Sequence, residues 1–260
     1  MRLLIINPNT SASVSELLRA RVQGLCVARA EVEVVTARLG AAYIASECSF
    51  AIAAHAALDA WAAATHALPA TVGAGQADAI QASEPDAVLI GCFGDPGLFA
   101  LRECSAAPVT GLAEAAFRQA SRHGRFAIVT GGAAWAPLLQ RHALATGFGP
   151  LLAGVVTVAE TGATLAADRA LAQAVLSRAC LEAALLPGVQ SVIVGGAGLA
   201  GMAAWLQPQV SLPLIDSVDA GVGEALALAA AGRPPPPAVP LPPWQGVSAE
   251  IERWAQSARR

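Results

Sequence analysis

Along the chain, short runs of β-branched and aliphatic residues alternate with longer Ala-rich stretches whose apolar positions recur at helical spacing. The runs Leu3–Ile6, Glu31–Thr36, Ala87–Ile90, Val109–Gly111, Phe126–Thr130, Gly154–Val158, Ser191–Val194 and Leu212–Ile215 predict strands. The stretches between them predict helices over about 12–36, 46–66, 71–83, 96–104, 112–122, 134–146, 166–184, 199–208 and 218–231. Such alternation predicts an α/β fold with parallel sheets and right-handed crossovers. Residues 233–243, dominated by proline, cannot be helical and predict an extended polyproline arm. A last helix over about 247–258, with Trp254 on its apolar side, could dock on the body of the protein or on a neighbouring subunit, which keeps a homo-oligomer among the expectations.

The pattern repeats internally. Asp86–Gly94 lies over Gln190–Gly198 at a constant offset of 104 residues, pairing Val88 with Val192, Gly91 with Gly195, Gly94 with Gly198 and, further on, Gly97 with Gly201. After a one-residue shift Pro108–Gly111 meets Pro213–Asp216. Arg2–Asn7 and Arg125–Thr130 both read as a strand running into a polar loop. The chain therefore reads as two copies of one βα set, expected as two pseudo-symmetric lobes. Parallel sheets bind ligands at the carboxyl ends of their strands, so two facing copies would hold loops 91–94 and 195–198 on opposite sides of one cleft. Glycines in both loops permit tight turns and expose backbone N–H groups.

Composition narrows the chemistry. The 260-residue chain is 55% hydrophobic and 13% charged, with a net charge of −3, and its mean hydropathy is +0.53. The hydropathy comes largely from Ala, and no window of about 20 strongly apolar residues predicts a membrane span. All 16 basic side chains are Arg. The absence of Lys excludes pyridoxal-phosphate Schiff bases, P-loop phosphate binding and Ser-Lys dyads, and the lack of any basic block argues against nucleic-acid or anionic-membrane partners. The apolar run at the start is too short for a signal peptide, so a cytoplasmic location is expected.

Of five cysteines, Cys26, Cys48, Cys104 and Cys180 read as small buried hydrophobes. Their spacing offers neither a disulfide framework nor a zinc site. Cys92 differs, being the one reactive side chain in either glycine-framed loop, opposite Gly196 in the other copy. Its place after a strand and before a helix N-terminus predicts a lowered thiol pKa.

Ile6-Asn7-Pro8-Asn9-Thr10-Ser11, the loop Ile90–Leu98 reading Ile-Gly-Cys-Phe-Gly-Asp-Pro-Gly-Leu, Pro108–Ala116 and Pro213–Ser217 together resemble the aspartate/glutamate/hydantoin racemase superfamily, most closely the hydantoin racemases, over residues 1–232. The resemblance implies two lobes, about 1–109 plus 212–232 and about 110–211, with residues 233–260 as a tail and the active site in the cleft. It implies no cofactor or metal, and a small carboxylate or hydantoin substrate. It also implies two cysteines that flank the substrate's chiral carbon, one removing the α-proton and the other returning one to the opposite face. Cys92 falls on the first. The second is expected in a Gly-Cys-Ala-Gly loop that here reads Gly195-Gly196-Ala197-Gly198, so one catalytic thiol is replaced by glycine. A related branch, the arylmalonate decarboxylases, works with one cysteine, and a decarboxylase is the alternative.

Asn9 is expected to present its amide to the substrate, with Thr10 and Ser11 as helix-cap types. Thr130 and Gly131 are the matching loop of the second copy and are expected to bind the substrate's anionic group. Phe93 and Ala197 would offer backbone N–H groups to an enolate oxygen, and Tyr43 is a candidate lining residue. Asp95 reads as the cap of the helix after Cys92, Asp216 as structural or lining, and His55, His66, His123 and His142 as surface or lightly packed imidazoles. Gly196–Gly201 also spells G-x-G-x-x-G with Asp216 further on, the dinucleotide fingerprint, which leaves an NAD-dependent oxidoreductase as a further reading. A non-catalytic carboxylate-binding protein is the last.

Overall fold

The computed structural model describes residues 1–66, 84–232 and 244–257. The helix expected over 71–83 and the polyproline arm lie outside them. Among the described residues, eight parallel strands form two four-stranded sheets of the same order. The first holds β1 (Arg2–Asn7), β2 (Glu31–Thr36), β3 (Ala87–Ile90) and β4 (Val109–Gly111), ordered β2-β1-β3-β4. The second holds β5 (Arg125–Gly131), β6 (Leu152–Val158), β7 (Val189–Gly195) and β8 (Leu214–Asp216), ordered β6-β5-β7-β8. In each sheet the first strand pairs with both the second and the third, so strand order reverses there. The unbroken aliphatic runs of β1 and β3 are fully buried because helices cover both faces.

The helices are α1 (Ala12–Cys26), α2 (Glu47–Thr65), α3 (Leu98–Cys104), α4 (Leu112–Ser121), α5 (Trp135–Ala145), α6 (Gly162–Ala167), α7 (Arg169–Ala184), α8 (Met202–Leu206), α9 (Ser217–Ala231) and α10 (Ala249–Ser257). Three differ from expectation. The predicted helix 12–36 stops at Cys26, where Ala28 takes a left-handed φ of 59° and turns the chain into β2. The stretch 166–184 is two helices, because Asp168 leaves helical geometry and accepts from the N–H of Leu171 as the cap of α7. Residues 199–208 form only the five-residue α8 between two 3₁₀ turns. No described helix is long and apolar enough to cross a membrane.

The lobes exchange helices. β8 pairs with β7 in the second sheet, whereas the expected boundary at 212 would assign it to the first lobe. The helix that follows, α9, packs on β3 and α4, and α4 in turn packs on β7. One apolar core therefore runs through both lobes. Phe117 of α4 sits at its centre, 5.5 Å from the Phe126 ring and 6.2 Å from Phe93. A second cluster lies under α7 and α8 on the far face of the second sheet. Of the cysteines expected to be buried, Cys26 and Cys180 are, Cys104 is half-buried, and Cys48 is exposed, since its place in the first turn of α2 faces solvent.

The C-terminal helix α10 docks on α2. Trp254 meets Trp61 edge-on at 5.6 Å. Arg38 donates to the buried Asp59 at 2.8 Å and to Glu250 at 3.3 Å. Desolvation by itself would raise the Asp59 pKa, but Arg38 and Ser248 outweigh it and hold the carboxylate below its usual range. Arg38→Ala should therefore strand a buried charge and lower stability by roughly 1–3 kcal/mol, a value reduced for the half-exposed Arg. Urea unfolding measures this, and an unchanged midpoint would contradict the pairing.

Candidate active site

A cavity of about 750 Å³ opens between the carboxyl ends of the two sheets. Asn9, Tyr43, Cys92, Phe93, Thr130, Gly131, Gly196 and Ala197 all line it. These eight residues come from both lobes, and the repeat brings their loops face to face as the pseudo-symmetry requires.

From the first lobe, Asn9 follows β1. Its side-chain oxygen accepts from the N–H of Ser11 at 2.9 Å, which leaves its amide NH₂ as a donor. Ser11 stands at the N-cap of α1, but its side chain makes no capping bond. Asn7 braces the turn by accepting from Asn9 N–H at 3.2 Å and donating to Ser15 at 3.0 Å. From the second lobe, the Thr130 hydroxyl donates to Gly195 carbonyl at 2.8 Å and can accept from a ligand. The N–H of Gly196 donates to Ser217 at 3.1 Å. Tyr43 is 43% exposed and crosses the cleft, its hydroxyl filling the place where Gly132 of the other lobe would carry a Cβ.

Two close approaches bring aromatic rings of one lobe against bare backbone of the other. A Cβ on Gly195 would overlap the edge of the Phe93 ring, so the first-lobe loop rests on bare backbone of the second. In the other direction, Trp135 reaches from α5 to within 2.7 Å of where Gly94 would carry a Cβ. Trp135, Thr161 and Gly162 also line the cavity and were not singled out from the sequence. The one available signal was a large aromatic just after the Gly131-Gly132 pair that ends β5.

Cys92 departs from expectation. Its side chain is 7% exposed, and burial pushes its pKa well above the ordinary thiol range, with the negative charge of Asp95 adding to the rise. The helix expected to lower it, α3, starts only at Leu98 and is seven residues long. Asp95 does not cap α3. Its carboxylate accepts from Ala113 N–H at 2.9 Å and Glu114 N–H at 2.8 Å, capping α4 instead. Gly111 makes this possible, because a Cβ there would overlap that carboxylate. His142 is not a surface imidazole. It is buried, with Nε2 at 2.9 Å from Asp95.

The loops are not conformational copies. Gly196 has a φ of +137°, where glycine alone is unstrained, while Cys92 is not in the left-handed region. Asp216 caps α9 through Val218 and Asp219 and also accepts from Gly201 N–H at 2.6 Å. The G-x-G-x-x-G spacing is thus followed by a five-residue helix and an occupied carboxylate, not by the long helix whose N-terminus takes a pyrophosphate.

Comparison with known proteins agrees with this geometry. A profile described as Asp/Glu/Hydantoin racemase matches residues 3–225. A hydantoin racemase of Paenarthrobacter aurescens is 30% identical over 237 residues, covering 89% of this chain and 92% of the relative. The structure of allantoin racemase from Klebsiella pneumoniae superposes with a TM-score of 0.81 at 28% identity, covering 98% of both chains. Arylmalonate decarboxylase, in a variant with glycine changed to cysteine at one position and cysteine to serine at another, shares the fold with a TM-score of 0.60 at 14% identity, over 91% of this chain and 95% of that one.

Substitution at either loop glycine should cost stability, but for different reasons. A Cβ on Gly196 meets no atom closer than Leu199 Cγ at 3.6 Å, so the cost of Gly196→Cys is dominated by backbone strain, roughly 1–3 kcal/mol. Gly195→Ala must displace the Phe93 ring, and overpacking of this kind costs about 1–3 kcal/mol while also moving Cys92. Denaturant unfolding of both variants checks this. Wild-type stability for Gly195→Ala would contradict the packed interface.

Proposed function

Because the chain belongs to the Asp/Glu/hydantoin racemase family, we propose that it forms and reprotonates a carbanion next to a carbonyl of a hydantoin-like substrate, with Cys92 as the acid/base. The observation that supports this reading is the composition of the cavity lining: among the described residues it has one thiol, that of Cys92, with hydrogen-bond donors and apolar walls around it. Glu16 is the one charged residue among the described residues that line it, and no Arg or His is present. A zwitterionic amino acid would leave its carboxylate without a cation there. A neutral cyclic ureide needs only donors for its carbonyls and an acceptor for its ring N–H. The Asn9 amide, the Thr130 hydroxyl and the backbone N–H groups of Phe93 and Ala197 are of the right kind. The Phe93 and Ala197 N–H groups donate to no other group among the described residues.

The step is a proton transfer. The Cys92 thiolate takes the hydrogen from the ring carbon, the electron pair moves onto the adjacent carbonyl oxygen, and donors near that oxygen hold the enolate. The thiol then returns a proton to the same carbon. Binding needs no cofactor in this scheme. The opposite face presents Gly196 rather than a second thiol, so exchange through Cys92 is one-faced, and inversion waits for a proton from elsewhere.

Cys92→Ser tests the assignment. A hydroxyl is a far weaker base near neutral pH, and turnover of a 5-substituted hydantoin should fall by about a thousandfold or more. Near-normal turnover would overturn it. The pH profile is a second check. Burial keeps the free enzyme's Cys92 protonated through the neutral range, so if thiolate is the base, kcat/KM should climb by about tenfold per pH unit from pH 7 to 9. A plateau already reached at pH 7 would contradict a thiolate base. Release of carbon dioxide from an arylmalonate, with no action on hydantoins, would instead favour the decarboxylase alternative.

A further inference from the structure

His142 lies outside the cavity lining, yet it is tied to the loop that carries Cys92. It sits on α5 of the second lobe and is buried, with Nε2 2.9 Å from the Asp95 carboxylate. Asp95 lies three residues after Cys92, and its N–H donates to Cys92 carbonyl at 3.1 Å. Asp95 holds a left-handed φ of 54°, a geometry that residues with a side chain rarely adopt and that Asp tolerates where its carboxylate is hydrogen-bonded nearby. The surroundings here are three hydrogen bonds to one carboxylate, from Ala113 N–H, Glu114 N–H and His142. The first two come from helix α4; only the third comes from α5.

We propose that His142 is a positioning residue for Cys92: across the lobe interface it fixes Asp95 in its left-handed conformation and holds the Cys92–Gly94 turn against the cleft. The reading rests on Cys92 being the acid/base of the proposed reaction. The charged groups around the pair are accounted for. Glu114 is held by Arg102 and Arg118, so its carboxylate is already paired. Arg141, next to His142 on α5, turns away to Glu47 and lies over the Phe50 ring. Phe117 packs against the imidazole at 5.9 Å, so His142 meets Asp95 on one side and an aromatic ring on another. Loss of the His142 donor would leave the Asp95 charge less compensated, and the thiol harder to ionise.

The test compares His142→Phe, His142→Gln and His142→Asn in the full chain. Three readouts are taken: kcat and KM on a 5-substituted hydantoin, thermal melting, and the pH dependence of iodoacetamide alkylation scored at Cys92 by peptide mass, apart from the exposed Cys48. Gln can bring an N–H to where Nε2 stands; Asn is too short. His142→Phe and His142→Asn should lower kcat by about 10- to 100-fold with KM within about threefold, and should move Cys92 alkylation to higher pH. His142→Gln should restore most of both. If His142→Phe does not fold, the Gln–Asn comparison carries the same test. A wild-type alkylation profile in the variant that lacks the donor would overturn the proposal, as would equal kcat losses in Gln and Asn. The alkylation profile does not depend on turnover. A shifted profile in a protein whose Cys92→Ser variant stays active would sink the acid/base role of Cys92 while leaving the His142–Asp95 support of its loop in place.

Discussion

The cleft depends on the absence of a side chain at Gly195. The Phe93 ring occupies the space a Cβ would take there, and that contact lets the two loops close on one cavity. Phe93 is also part of the core around Phe117 and Phe126, so the wall of the site and the centre of the molecule are one packed unit. A close-packed interior transmits small volume changes. Position 195 can therefore shift Cys92 without touching it.

The two lobes share strand order, helix exchange and loop glycines, but divide the polar groups differently. In the first lobe the carboxylate that caps α4 comes from the loop, as Asp95, and the strand end is bare at Gly111. In the second the strand end carries the acid, Asp216, which caps α9, and Leu199 stands in the loop. Each lobe also sends a charged or polar group from its first helix to the other side: His142 of α5 to Asp95, and Arg21 of α1 to Asp219 of α9 at 2.7 Å from Nε. The asymmetry extends to the backbone, since Cys92 sits where a side chain is tolerated and Gly196 where it is strained. Among the described residues that line the cavity, the duplicated scaffold thus carries a thiol on one side only.

Most of the scaffold was legible in the sequence, because strands buried on both faces are written as unbroken aliphatic runs and the repeat supplied the facing of the loops. The same repeat brought Asn9, Cys92, Thr130 and Gly196 to one cavity before any contact was known. What was not legible depends on partners distant in sequence. A lone histidine at helical spacing looks alike whether it meets solvent or, as His142 does, a carboxylate 47 residues away. The state of Cys92 escapes the sequence for a related reason. Its place between strand and helix suggested a helix dipole, but the acid that stands beside it serves another helix, and desolvation wins. Trp135 enters the site against Gly94 of the other lobe, a complementarity that one sequence does not display.

The central claim is that catalysis runs from one face, with Cys92 taking and returning the proton and Gly196 offering none. It is tested most directly by following one enantiomer of a 5-substituted hydantoin in D₂O with the native enzyme, scoring deuterium in the recovered starting enantiomer by mass spectrometry and inversion by chiral chromatography. One-faced exchange predicts deuterium accumulating in the starting enantiomer faster than its mirror image appears. Deuterium confined to the inverted product, with unlabelled starting enantiomer throughout, would show a second proton donor on the opposite face and contradict the account.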